Sequence, residues 1–426
     1  MQLLRAERRA RLFFVVLGQS SLGTGAAYVG LLLIAYDRFH SPWALSIVLC
    51  ADLLPAMVLG PILGAVADRW SRRGCLVVAD AARAIAFAGI AVVPSFEATV
   101  ALALAAGVGT ALFTPAALAG LPSLVEERRF PAATSIYSAV ADLGLMVGPA
   151  LAALILLTGG PETIMVLNAA TFAISAAVLA RLDFGAAPAA ASEVPATGRW
   201  RLIADAREGL VASRRIPGLA IVLGSATAAI CVGGLINVAE VPFVTEELDG
   251  SDSAYSLLVA LAGLGFIAGS LSGSSGGDRE RKKRRYVAGL LLIGAGYLLA
   301  ASSPVLIPAL AAFMVAGFGN GLTLVYERQI VQEVVPDSLL GRVFGVRDAL
   351  TAWAFAVAFI GSGVVLTLTG SREVILASGI GGLVTAAVIA FLFARHDAFS
   401  QVAPAEPTVE PRLGGSPETL GHGRVG

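Results

Sequence analysis

The sequence predicts an all-α integral membrane protein, with twelve transmembrane helices in two six-helix, pseudo-symmetric halves. Three observations predict it. First, 57% of the 426 residues are hydrophobic and 14% are charged, with a mean hydropathy of +0.80. Soluble domains carry about a quarter charged residues, and a water-soluble fold could not hide this much apolar surface. Second, the apolar residues collect in twelve runs of spanning length. Third, the basic residues between those runs alternate sides.

A hydrocarbon core of about 30 Å takes about 20 helical residues to cross. Lipid offers the backbone no hydrogen-bond partner, so each crossing must be a helix or part of a closed barrel. These runs are too long and too uniformly apolar for barrel strands. In order they cover 12–36, 42–67, 74–95, 97–123, 131–157, 161–181, 216–246, 252–277, 286–302, 304–332, 341–369 and 373–394. The first follows a basic front but runs on to about Ile34, longer than a signal-peptide core, so it reads as a retained span. Residues 1–182 form the first half and 216–394 the second. Between them, 183–215 is an Ala/Pro-rich linker followed by a surface helix with Ile203, Ala206 and Leu210 on one face. The Pro/Gly-rich tail, 395–426, is expected to be disordered.

Charge tests the count. The segments 1–11, 68–74, 125–131, 181–215, 278–285 and 337–348 hold 4, 3, 2, 6, 6 and 2 Lys or Arg, whereas the loops of the other side hold Arg38 and Arg372. Positive residues stay on the cytoplasmic side, so both termini are expected in the cytoplasm and the chain in the cytoplasmic membrane, as a monomer. The halves also carry matching charged turns. Asp68, Arg69, Arg72 and Arg73 follow the second span; Asp278, Arg279, Lys282 and Lys283 follow the eighth, 210 residues later. Such duplication is a common plan among secondary transporters.

The stretch "GPILGAVADRWSRRG" (60–74) contains Gly64-x-x-x-Asp68-Arg69-x-x-Arg72-Arg73. This pattern resembles the signature loop of the major facilitator superfamily, between its second and third helices. Ser71 stands where that family usually has glycine, and in the second-half copy Ser274 replaces the Gly64 equivalent. "FTPAALAGLPSLVEERRFPAATS" (113–135), "VGPALAAL" (147–154), "LNAATFAIS" (167–175) and "VPDSLLGRVFG" (335–345) resemble its proton-driven branch, which includes macrolide and enterobactin exporters. Thr24 stands where that branch often carries aspartate, and the fourth helix lacks the membrane arginine of many drug–proton antiporters. Physically, Gly64 allows close helix approach. Asp68 can accept hydrogen bonds from a helix N-terminus, worth about 0.3–1 kcal/mol when exposed. The resemblance implies that this terminus is the start of the eleventh helix, near Gly341 to Val346, and that the contact latches one of two rocking states. The bland alternative is that the loop's charges only fix topology.

Ionisable groups inside a bilayer cost at least about 2.5 kcal/mol on insertion scales, so each asks for a reason. Asp52 and Asp142 lie mid-depth in the second and fifth spans, Glu240 near the outer end of the seventh, and Glu327 with Arg328 near the inner end of the tenth, where long side chains can snorkel. The four acids are the proton-coupling candidates, because the spans hold no histidine. The cavity candidates are Ser20, Thr24 and Tyr28 on one face of the first span, Ser138 beside Asp142, Asn237 beside Glu240, Asn320 and Thr323 beside Glu327, and Asp348. Asp80 and Arg83 are spaced to pair within the third span, a structural role. Gly144 and Gly148 form a small-residue surface on the fifth span, and Gly148-Pro149 is a hinge candidate. The resemblance implies that the first, second, fourth, fifth, seventh, eighth, tenth and eleventh helices surround the cavity.

There is no P-loop, metal cluster or serine–histidine–acid set, and Cys50, Cys75 and Cys231 are isolated. The zero net charge gives no pull toward nucleic acid. The expected function is secondary active transport without cofactor: a proton-coupled exporter of small amphipathic compounds such as drugs or antibiotics. A siderophore or other metabolite exporter of the same fold is the alternative. A non-transporting membrane sensor or an intramembrane enzyme is the rival from another class.

Overall fold

A computed structural model describes residues 7–184, 207–208, 210–216, 218–273 and 278–395; within these, the side chains at 57, 61, 62, 65, 68, 69, 337 and 338 lie outside the description. Ser274, Ile203, Ala206 and the tail therefore lie outside it, as do the side chains of Asp68 and Arg69.

Twelve helices are long and apolar enough to cross a membrane, and no strand occurs among the described residues. In the first half they are α1 (Arg8–Phe39), α2 (Pro42–Arg69), α3 (Arg72–Val92), α4 (Phe96–Gly120), α5 (Phe130–Ile155) and α6 (Pro161–Arg181). The second half has α7 (Leu219–Glu247), α8 (Asp252–Ser272), α9 (Arg279–Ser302), α10 (Leu306–Val334), α11 (Asp337–Leu368) and α12 (Ser371–Arg395). α7 is interrupted at Gly234-Leu235 and ends in a widened turn over Phe243–Glu247, after Pro242. Local chemistry sets several boundaries. His40 takes a left-handed conformation (φ 45°) to end α1, and Pro42 opens α2, where its missing N–H costs nothing. Ser71 caps α3 by accepting from the Gly74 N–H.

α9 corrects the expected boundary at 286. It starts seven residues earlier, because Asp278 caps it by accepting from the Arg281 N–H, and the basic run Arg279–Arg285 forms its first two turns. Charge there lowers hydropathy without opposing helix formation. The two charged turns are thus not superposable copies: Asp68 lies inside α2, whereas Asp278 precedes α9.

The packing repeats with a shift of six helices. α1 packs on α5 and α6, α2 on α4, and α3 on α4 and α6; α7 packs on α11 and α12, α8 on α10, and α9 on α10 and α12. The halves meet through α2 with α11 and α5 with α8, two contacts that the same shift exchanges. Glycine allows the closest crossings. A Cβ on Gly144 or Gly148 of α5 would strike the backbone of α1 near Ser21 to Ala26, and one on Gly265 or Gly317 would strike backbone between α8 and α10.

The two basic residues on the sparsely charged side have matching roles. Arg38 donates to the carbonyls of Ile90, Ala91 and Val93 at the end of α3 (2.6–3.0 Å) and pairs with Glu162 at 3.1 Å. Arg372 donates to the carbonyls of Ala301 and Ser303 at the end of α9 (2.7 and 2.9 Å) and pairs with Glu247 at 3.3 Å. A cation at a helix C-terminus satisfies orphan carbonyls and opposes the helix dipole.

Candidate functional site

The apolar core is distributed unevenly. At the end holding the α1–α2 and α7–α8 loops, one cluster joins both halves, from Leu31–Ala35 and Leu45–Leu49 to Val238–Val244, Leu258, Phe359 and Val374. At the basic end, Phe13, Leu76, Phe113, Leu124 and Leu179 form a core confined to the first half. Leu219, Tyr286, Tyr326, Val331 and Val343 form another, confined to the second. The exposed side chains at the basic end include Ser135, Ser138 and Asp142 on α5, and Asn320 and Arg328 on α10. A Cβ added to Gly341 or Gly345 of α11 would meet nothing within 4 Å, and one on Gly64 would meet only Pro115, at 3.7 Å. A cleft therefore divides the halves at the basic end and closes toward the other.

Polar bonds reinforce the closed end. Tyr28 of α1 donates to Asn237 Oδ1 of α7 at 2.9 Å, and two turns further along α1 Tyr36 bonds Glu246. Ser256 of α8 donates to the Pro149 carbonyl of α5 at 2.6 Å, tying the Gly148-Pro149 position to the opposite half. Between Asn237 and Glu246 on α7, Glu240 is half-buried within electrostatic reach of Tyr28, Tyr255 and Tyr297. Half-buried Asp52 reaches Tyr28 from α2 and also feels Arg83. The closed apex thus brings an acid from each half to one cluster of tyrosines.

The remaining candidates separate. Ser20 and Thr24 bond back to carbonyls of their own helix, Leu17 and Ser20, so of the α1 stripe Tyr28 is the residue that reaches across. Thr323 is buried, bonds the Gly319 carbonyl and packs where α9 approaches at Gly289; Asn320 is exposed. Glu327 does not snorkel. It is 3% exposed and held by Arg347 of α11 at 2.6 and 3.3 Å, while Arg347 also bonds the exposed Asp348 at 3.1 Å. Sequence reasoning missed Arg347, counted as one more basic loop residue. Asp80 and Arg83 are ion-paired within α3, and the guanidinium lies over Phe113 (4.5 Å) and Phe172 (4.2 Å). Arg279 and Lys282 pair with Glu333 of α10 at 2.9 and 2.6 Å, and Lys283 pairs with Glu280 at 2.6 Å, so the second charged turn is anchored inside its own half.

A bundle of twelve spans with a two-sided core and a one-ended cleft is a transporter architecture, and the family comparison decides which. The family model for the Major Facilitator Superfamily matches residues 13–241 and 221–419. The chain belongs to the major facilitator superfamily. It is a multi-pass membrane transporter of that superfamily and not an enzyme. Among its relatives is the uncharacterized MFS-type transporter YfiS of Bacillus subtilis, 26% identical over 377 residues, 84% of this chain and 87% of the relative. The multidrug efflux pump Tap of Mycolicibacterium fortuitum is 26% identical, covering 90% and 96%. The enterobactin exporter EntS of Salmonella typhimurium is 27% identical, covering 86% and 87%. Among solved structures, a bacterial homologue of the human lysosomal transporter Spinster, in an inward-facing and occupied conformation, superposes with a TM-score of 0.69 at 15% identity, over 91% of this chain and 96% of that one. At that identity the likeness shows the fold.

Proposed function

We propose that this superfamily member is an exporter that works by alternating access in the cytoplasmic membrane, with both termini in the cytoplasm, and that the cleft described above is its cytoplasm-facing state. The observation that carries this reading is the uneven core: one cluster spans both halves at one end, and a separate core serves each half at the basic end. The positive-inside rule places the basic end in the cytoplasm. To release cargo outside, the Tyr28–Asn237 and Tyr36–Glu246 bonds must break while the cleft closes. The kinship with Tap and EntS supports export.

Protons drive the cycle in this reading, carried by Asp52, Asp142 or Glu240, carboxylates that are not ion-paired among the described residues. Glu327 is less suited, because it is already ion-paired with Arg347. Asp68 is the latch for the state in which the basic end is closed, with Gly64, Arg69, Arg72 and Arg73 shaping its loop. Gly148-Pro149 is the flexing point of α5. The cargo is a small amphipathic compound, a drug or antibiotic. A secreted siderophore-like metabolite is the second reading, favoured by the EntS relationship.

The test is a pH-jump assay on the reconstituted protein, run with dyes, antibiotics and siderophores. Cargo-dependent proton flux is expected, and it should be lost in Asp142→Asn or Asp52→Asn. Normal flux in both variants would remove those two carriers, and absence of any cargo movement would remove the transport cycle proposed here. Asp68→Asn should insert normally and transport poorly.

A further inference from the structure

Two charges stand free in the cleft, one on each wall. On α5, Asp142 shares its face with Met146 and Pro149, the residues that approach Gly263 and Ser256 of α8, so the helical register turns Asp142 toward the second half. On α10, Asn320, Leu324 and Arg328 follow one another at four-residue steps. This stripe lies between the glycines that pack on α8, Gly317 and Gly321, and Glu327, which reaches α11. Arg328 therefore looks into the cleft toward the first half. Both side chains are exposed, neither has a hydrogen-bond or ion-pair partner among the described residues, and Arg328 lies within electrostatic reach of Asp142.

These two differ from the charged groups beside them on the second-half wall, and from Asp52 and Glu240, which are half-buried at the closed apex. Glu327 and Arg347 hold each other, and Asp348 is bonded to Arg347. An unpaired acid and an unpaired base at membrane depth are costly, and their placement on opposite, moving walls leaves two partners of opposite sign available to one ligand. The surroundings, Met146 and Leu324, are apolar.

We propose that the cleft binds amphipathic zwitterions, with a cationic amine on Asp142, an anionic group on Arg328 and an apolar body between the walls. This deepens the transport reading and rests on it. Such a ligand touches both halves at once, so its binding draws the walls together and favours the closure that export requires. Each charged contact is expected to contribute about tenfold in affinity.

The test uses three probes with one apolar body: phenylalanyl-phenylalanine, its C-terminal amide and its N-acetyl derivative, which are zwitterion, cation and anion near neutral pH. Binding to the purified full-length protein in nanodiscs is measured by titration. The zwitterion should bind about tenfold tighter than either of the others. Asp142→Asn should weaken the zwitterion and the amide but not the acetyl derivative; Arg328→Gln should weaken the zwitterion and the acetyl derivative but not the amide. Gel filtration checks that both variants fold. Equal affinities, no binding of any probe, or a zwitterion affinity unmoved by both variants would overturn the proposal, the last outcome meaning that the two charges serve only to meet each other on closure. Vesicle transport scored separately with dyes and antibiotics keeps the two readings apart. Cargo movement without charge selectivity would sink the zwitterion site alone, and selective binding without any movement would sink the transport cycle alone.

Discussion

Two arginine–carboxylate pairs with a buried acid, Asp80–Arg83 and Glu327–Arg347, look alike in chemistry and differ in their surroundings. The first lies within one helix, three residues apart, with its guanidinium between Phe113 and Phe172. All its partners belong to the first half. Asp80 Oδ2 and Arg83 Nε have no hydrogen-bond partner among the described residues, and little else compensates the pair if it is broken. The second joins α10 to α11 across the cleft wall and extends to Asp348, which is 72% exposed. Water and a second acid stand ready when that pair is disturbed. Both pairs lie within a single half; the one sealed from water fixes structure, and the one open to water and a second acid can be remade.

Substitutions can break or sharpen this contrast. Arg83→Leu should have the largest effect, because removing one member strands a buried charge at about 3–5 kcal/mol. A sharp fall in melting temperature and in folded yield in detergent is expected; a stable, monodisperse Arg83→Leu protein would show that the pair is dispensable. Glu327→Gln should cost less stability, about 1.5–3 kcal/mol, because Arg347 keeps Asp348, yet it should reduce transport severely while folded yield stays near wild type. Equal loss of fold in these two variants would erase the distinction. Ser256→Ala removes the bond to the Pro149 carbonyl and should cost about 1 kcal/mol, seen as a small shift in melting temperature. Tyr36→Phe is the mildest. It loses an exposed bond to Glu246 worth about 0.5 kcal/mol, and it should increase labelling of the closed end by membrane-impermeant reagents about twofold, with a smaller shift in melting temperature than Ser256→Ala.

The same contrast explains what was legible beforehand. The twelve spans were readable because lipid forces a minimum helix length, a signal that every crossing repeats. The start of α9 was not, because hydropathy falls across Arg279–Arg285 while helix propensity does not. The Asp80–Arg83 pair was readable, since i, i+3 spacing is a local rule. Glu327–Arg347 was not, since its members are twenty residues apart on different helices and only packing brings them together. Ser20 and Thr24 looked like cavity groups by register, but a hydroxyl in a helix can bond its own preceding carbonyl, as both do. Arg38 and Arg372 stood out only as exceptions to the charge asymmetry, and their work as caps of α3 and α9 depends on tertiary contacts that no local pattern encodes.

The central claim is that the two halves part and rejoin at opposite ends. Its most direct test is a reversible cross-link at the closed end. A Cβ on Gly363 of α11 would lie 3.3 Å from Cβ of Ser46 on α2, in the opposite half, within reach of a disulfide after small adjustment. Ser46→Cys with Gly363→Cys, in a background where Cys50, Cys75 and Cys231 are replaced by alanine, should transport when reduced, stop when oxidised, and recover on reduction. Full transport by the oxidised, fully cross-linked protein would contradict the account.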